Sequence, residues 1–155
     1  MLERRYNHLS ALNESEKQTV MDHILSPVDG SEPSYRALEF AAKLSKRIGA
    51  KLTVMAVRQY IVGRMTVADV WSDDEVKGIF KKAKEIAAAA GSPEAGIAEC
   101  RARDVAHAIV EYAEQNRVDL IIMGASGIGA LKAFLIGSVS SDVLRKSVCP
   151  VMIVH

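Results

Sequence analysis

Four glycines gather in the segment MGASGIGALKAFLIGSVSSDVL, Gly124, Gly127, Gly129 and Gly137, with Ser138 and Ser140 close behind the last of them. The apolar run VDLIIMG in front reads as a strand, and Ser138 to Lys146 reads as a helix. Amide N–H groups in the first turn of a helix have no partner inside it, and the helix dipole adds roughly half a positive charge, so phosphate is the natural occupant of such a place. Glycine lets the backbone come close to that ligand. Two known phosphate loops do not fit. A Walker A loop needs Lys-Ser/Thr after its second glycine, whereas Ala130 follows Gly129 and Lys132 is displaced. A Gly-x-Gly-x-x-Gly loop begun at Gly127 would need its last glycine where Lys132 stands.

The elements that would position this loop alternate along the chain. Ile24, Leu25 and Val28 form an apolar run ending at Asp29-Gly30, which predicts a buried strand and a turn. Ser31 or Glu32 can cap a helix with Pro33 in its first turn; Ala37, Leu38, Ala41, Leu44 and Ile48 recur at helical spacing until Gly49. Lys51 to Val57 reads as a second strand, and Arg58 to Trp71 as polar and irregular. Ser72 and Glu75 have capping-box spacing before a helix running through Ala90 to Gly91, with Gly78 a mild weakness inside it. Gly96 to Ala102 reads as a third strand, and Asp104 as the cap of a helix carrying Val105, Ala108, Ile109, Tyr112 and Ala113 on one side. VDLIIMG is the fourth strand, and Pro150 to Val154 the last. Five apolar strands separated by helices require a parallel sheet covered on both faces, a doubly wound α/β fold. In such sheets ligands bind beyond the carboxyl ends of the strands, where the strand order reverses.

Composition sets bounds on function. The chain has 155 residues, 49% of them apolar, and 20 Lys+Arg against 19 Asp+Glu, giving a net charge of +1. One compact domain is expected, able to bury roughly 70% of its unfolded surface without disulfides or a structural metal. A balanced charge supplies no general attraction to nucleic acid or to acidic membranes, and 5% aromatic residues leave little for base stacking along a single strand. Cys100 and Cys149 lie far apart with no CxxC, which favours free thiols in a reducing compartment over a zinc or redox site. No run approaches the roughly 20 apolar residues of a membrane span. The polar first 22 residues lack the features of a signal peptide, so a cytoplasmic location is expected. Within them Leu2, Tyr6, Leu9 and Asn13 share a helical face, as a short amphipathic helix or a loosely docked tail would.

The spacing Gly-x2-Gly-x9-Gly-Ser written by Gly124, Gly127, Gly137 and Ser138, between DLIIM and a helix followed by CPVMIV, resembles the universal stress protein family. The resemblance runs from His23 to His155, and SPVDGSEPSYRAL is similar to the family's first strand and helix. It implies an adenine nucleotide alpha hydrolase-like arrangement of the five-stranded sheet, after a separate extension over residues 1–22. It implies that Asp29, which follows Val28, and the backbone of Val57 hold adenine, that Pro27, Met123 and Gly124 line the ribose, and that Gly127, Gly137, Ser138, Val139 and Ser140 cradle the phosphates. A complete glycine motif belongs to the family's ATP-binding branch, so ATP or AMP is the expected ligand, with Mg²⁺ held through the phosphates. Where the family often has Gly-Asp after the third strand, this chain has Arg103-Asp104, and Arg103 could either reach the nucleotide or hinder the site.

Plainer readings stand beside these. Asp29-Gly30 is a common turn pair, Ser138 and Ser140 can be helix caps, and Lys132 can be a solvated loop lysine. His8, His23, His107 and His155 are scattered and have no metal-ligand spacing. Met55, Met123 and Met152 fall in strands as core residues, and Trp71 before the capping box suits a hydrophobic staple or a partner contact. The leading functional expectation is a nucleotide-dependent regulatory or chaperone-like homodimer, paired through the apolar strand Val151 to Val154. A slow ATPase or nucleotidyl transferase on the same site is the alternative, without a Walker lysine or an evident group to activate a nucleophile. A nucleotide-free interaction module is a third.

Overall fold

The computed structural model describes residues 21–125 and 136–155. The expected helical face of Leu2, Tyr6, Leu9 and Asn13, together with His8, Gly127, Gly129 and Lys132, lies outside the described residues.

Strand β1 (His23–Pro27) leads to helix α1 (Glu32–Ile48), strand β2 (Lys51–Val62), strand β3 (Val67–Asp69) and helix α2 (Asp73–Ala89). Strand β4 (Gly96–Ala102), helix α3 (Val105–Gln115), strand β5 (Leu120–Gly124), helix α4 (Ser138–Lys146) and strand β6 (Val151–Val154) follow. The parallel strands lie in the order β4, β2, β1, β5, β6. From β1 the chain builds outward on one side through β2 and β4, then returns to pair β5 on the other side of β1. The strand order therefore reverses between β1 and β5.

Side chains alternate across the sheet with the two-residue period of a strand. Ile24, Val54, Ala56, Leu120 and Ile122 face a core completed by α1 and α2. Leu25, Met55, Val57, Ile121 and Met123 face a second core with α3 and α4. Burial on both faces explains why these strands read as continuous apolar runs.

The helix ends follow local chemistry. The Ser31 hydroxyl accepts from the Ser34 N–H at the start of α1, with Pro33 in the first turn, and Gly49 ends the helix at φ 73°. Ser72 and Glu75 form a reciprocal capping box on α2. Asp104 caps α3 by accepting from the His107 N–H at 3.0 Å.

The segment expected to be irregular is ordered. Strand β2 continues through Arg58 to Val62, and Val67–Asp69 turns back antiparallel to it, pairing Tyr60 with Asp69 and Val62 with Val67. The Gly63 N–H closes the turn on the Thr66 carbonyl at 2.8 Å. This hairpin adds an antiparallel sixth strand to the five parallel ones.

Candidate functional site

At the β1/β5 reversal a cleft of about 530 Å³ opens beyond the carboxyl ends of the strands. Pro27, Val28 and Asp29 form one part of its wall, and Met123 and Gly124 the adjoining part. The start of α4 contributes Gly137, Ser138, Val139 and Ser140, and β2 contributes Val57. Ten of the positions singled out from the sequence thus meet around one cavity, and Gly127 lies outside the described residues.

Each wall has a local cause. The Val28 N–H donates to the Met55 carbonyl at 2.8 Å, carrying the β1–β2 ladder one residue past the strand and bringing Asp29 to the rim. Gly30 follows at φ 85°, turning the chain into α1. The Asp29 carboxylate accepts from the Ser31 N–H at 3.0 Å and from the Ser31 hydroxyl at 2.5 Å, so the side chain is oriented by the same residue that caps α1. Gly124 has a packing reason to be glycine: a Cβ there would stand 2.7 Å from the Pro33 carbonyl carbon and 2.8 Å from its oxygen.

The α4 terminus differs from the other three described helices. Its N-cap is Gly137, with φ −64° and ψ 161°, and no side chain among the described residues caps it. Neither Ser138 nor Ser140 is a cap, against one expectation. Ser138 is the first helical residue and exposed. Ser140 is buried, and its hydroxyl donates to the Gly124 carbonyl at 2.9 Å. The single hydroxyl hydrogen of Ser140 is therefore spent on β5, and what Ser140 can offer an anion is its backbone N–H. The extended φ of Gly137 is open to any residue, so backbone conformation alone does not require glycine there.

Among the described residues no group of three or more His, Cys, Asp and Glu side chains could hold a metal. Burial pushes the Cys100 thiol above its ordinary pKa, with Glu111 and Glu99 adding to the effect, which suits packing and opposes nucleophilic use. Burial likewise raises the Tyr35 phenol, assisted by the charge of Asp29. Arg103 does not line the cleft; its carbonyl accepts from the Gln59 amide at 3.2 Å, and Gln59 does line it.

A model of the universal stress protein family matches residues 21–155. The chain belongs to that family. It is 35% identical over 150 residues to universal stress protein YxiE of Bacillus subtilis, a match covering 88% of this chain and 100% of the relative. It is 30% identical over 141 residues to a universal stress protein of Methanocaldococcus jannaschii, covering 84% of this chain and 80% of that one. A universal stress protein solved in complex with cAMP superposes with a TM-score of 0.68 at 26% identity, covering 87% of this chain and 97% of that structure. Another, from Archaeoglobus fulgidus in complex with dAMP, gives a TM-score of 0.60 at 25% identity, covering 87% and 98%.

Beyond the positions named from the sequence, seven more residues line this universal stress protein cleft. Met55, Gln59, Val70 and Trp71 line it, as do Val105 and Ile109 of α3 and Ser34 of α1. Met55 was within reach, since it shares a strand face with Val57. Val105 and Ile109 are one helical turn apart and face the same way. Val70 and Trp71 depend on the hairpin, which has no such periodic signal.

Proposed function

We propose that this universal stress protein binds an adenine nucleotide, ATP or AMP, in the β1/β5 cleft and acts as a nucleotide-dependent regulatory or chaperone-like homodimer. The observation that carries the reading is the start of α4 at the rim of the cleft, which no side chain among the described residues caps, whereas the other described helices are all capped by side chains. First-turn N–H groups, with the helix dipole behind them, suit phosphate. The base end then falls toward β2, with the backbone of Val57 and the Asp29 carboxylate facing adenine and Pro27, Val28, Met123 and Gly124 about the ribose. Gly127 completes the proposed phosphate cradle with Gly137, Ser138, Val139 and Ser140. The family members solved with cAMP and dAMP support an adenine ligand.

Asp29 is the only carboxylate among the described residues lining the cleft. That donor set fits Mg²⁺ carried on nucleotide phosphates and water rather than caged by protein. Extraction of denatured, freshly purified protein followed by chromatography tests occupancy. Recovery of an adenine nucleotide in near-stoichiometric amount supports the reading. Apo protein that gains no adenine nucleotide on incubation opposes it.

A further inference from the structure

The segment joining β3 to α2 is strapped across the end of the sheet at two points placed symmetrically about Trp71. Arg58 of β2 and Arg101 of β4 are register partners on neighbouring strands. The Arg101 Nε donates to Asp69 at 2.6 Å, and its guanidinium lies 4.6 Å from the centre of the Tyr60 ring. Arg58 pairs with Asp73 and donates through Nε and Nη2 to Glu99 at 3.2 and 2.7 Å. Two adjacent arginines would repel; here each is matched by a carboxylate, at positions two before and two after the tryptophan. The Val70 N–H also donates to the Gln59 carbonyl at 2.8 Å, tying the strap to β2 just beyond Val57.

The strap brings Trp71, half-buried, to the cleft wall, where it is the only aromatic ring among the described lining residues. It stands at the β2 end, across the β1/β5 reversal from the start of α4. An indole in a cleft whose wall also carries Val57, Val70 and Ile109 offers a flat apolar surface, which a purine face matches and a phosphate does not. We propose that Trp71 contacts the purine base of the bound nucleotide, and that Arg101 and Arg58, through Asp69 and Asp73, are the positioning residues that hold it there. This rests on the adenine-nucleotide reading and adds a base contact that the glycine motif does not supply.

Trp71 is the chain's one tryptophan, so its emission reports on this position alone. The test titrates the full chain with Mg²⁺-ATP and with AMP, following both fluorescence and calorimetric heat. The expected result is a saturable change in emission with the calorimetric Kd. Trp71→Ala should weaken binding by roughly tenfold, the scale of a lost base–aromatic stack, while Trp71→Phe keeps it within about threefold of wild type. Arg101→Gln, which keeps the indole in the chain but frees Asp69 and so loosens the strap that positions it, should reduce the emission change. A staple that only supports α2 would shift stability in Trp71→Ala without giving a nucleotide-dependent emission signal. Heat of binding with unchanged emission, or a folded Trp71→Ala with wild-type affinity, overturns the base contact and leaves the nucleotide site standing. Absence of heat with either nucleotide overturns both. The wild-type titration decides the matter even if Trp71→Ala does not fold.

Discussion

The buried Ser140 hydroxyl donates to the Gly124 carbonyl at 2.9 Å, joining the first turn of α4 to the last residue of β5 across the segment that separates them. Both partners line the cleft, so this bond fixes the distance between a strand end and the open helix terminus. Ser140→Ala takes this hydroxyl donor from the Gly124 carbonyl. It should cost about 1 kcal/mol in urea unfolding, the scale of one lost buried hydrogen bond. A loss below a few tenths of a kcal/mol would mean that the packing of Val139 and Val143 and the Gly137 N–H bond to the Ala125 carbonyl hold α4 without it.

Gly124→Ala should destabilise by about 1–3 kcal/mol, because the added methyl meets the Pro33 backbone, which cannot swing away as a flexible side chain would. Differential scanning calorimetry measures it. An unchanged Tm would show that α1 slides freely over β5.

His23 gives the folded protein a pH dependence. Its Nδ1 hydrogen is donated to the Asn116 carbonyl at 3.2 Å and its Nε2 accepts from the Thr53 hydroxyl at 2.8 Å, an arrangement that suits the neutral ring. Burial holds its pKa below the ordinary value, outweighing the bond to Asn116, which acts the other way; Lys51 lowers it further and Asp119 raises it. The unfolded chain therefore takes up a proton near pH 6.5 that the folded chain resists. This part of the stability is complete above about pH 6.5 and falls as pH drops from there toward the folded value. Urea midpoints from about pH 7.5 to 5.5 should fall in wild type and stay flatter in His23→Gln. Parallel profiles would contradict the assignment.

The alternation of strands and helices was legible because β1, β5 and the first half of β2 are buried on both faces and three of the four described helices carry a local mark at an end: Ser31, Gly49, Ser72, Asp104. The hairpin was not. Ile61, Val62 and Val67 are 61%, 52% and 56% exposed, so no core face imposes a pattern on them. What orders the hairpin is its backbone pairing with β2, joined by Arg101 on Asp69, a pair distant in sequence. Trp71 was hidden for the same reason: its place in the cleft follows from that strap. Ser140 was misread as a possible cap because the helix boundary lies at Gly137, three residues earlier, and its hydroxyl turns back to β5.

Strand β6 forms the edge of the sheet, with Met152 37% exposed and Val148, in the connection before the strand, 78% exposed. An apolar edge invites a strand from a second copy, and a two-fold pairing would close the assembly. Met152→Lys combined with Ile153→Asp should shift the species toward monomer in sedimentation velocity. A wild-type chain that is monomeric at high concentration, or a doubly substituted one that stays dimeric, would remove β6 as the interface.

Isothermal titration of nucleotide-free protein with millimolar Mg²⁺-ATP and, separately, Mg²⁺-GTP tests most directly whether the β1/β5 cleft takes an adenine nucleotide. Saturable heat is expected with ATP, much weaker heat with GTP, and a narrower gap between the two in Asp29→Ala, where the carboxylate proposed to face adenine is gone. Equal heats for both nucleotides in wild type, or none for either, would contradict an adenine-nucleotide site there.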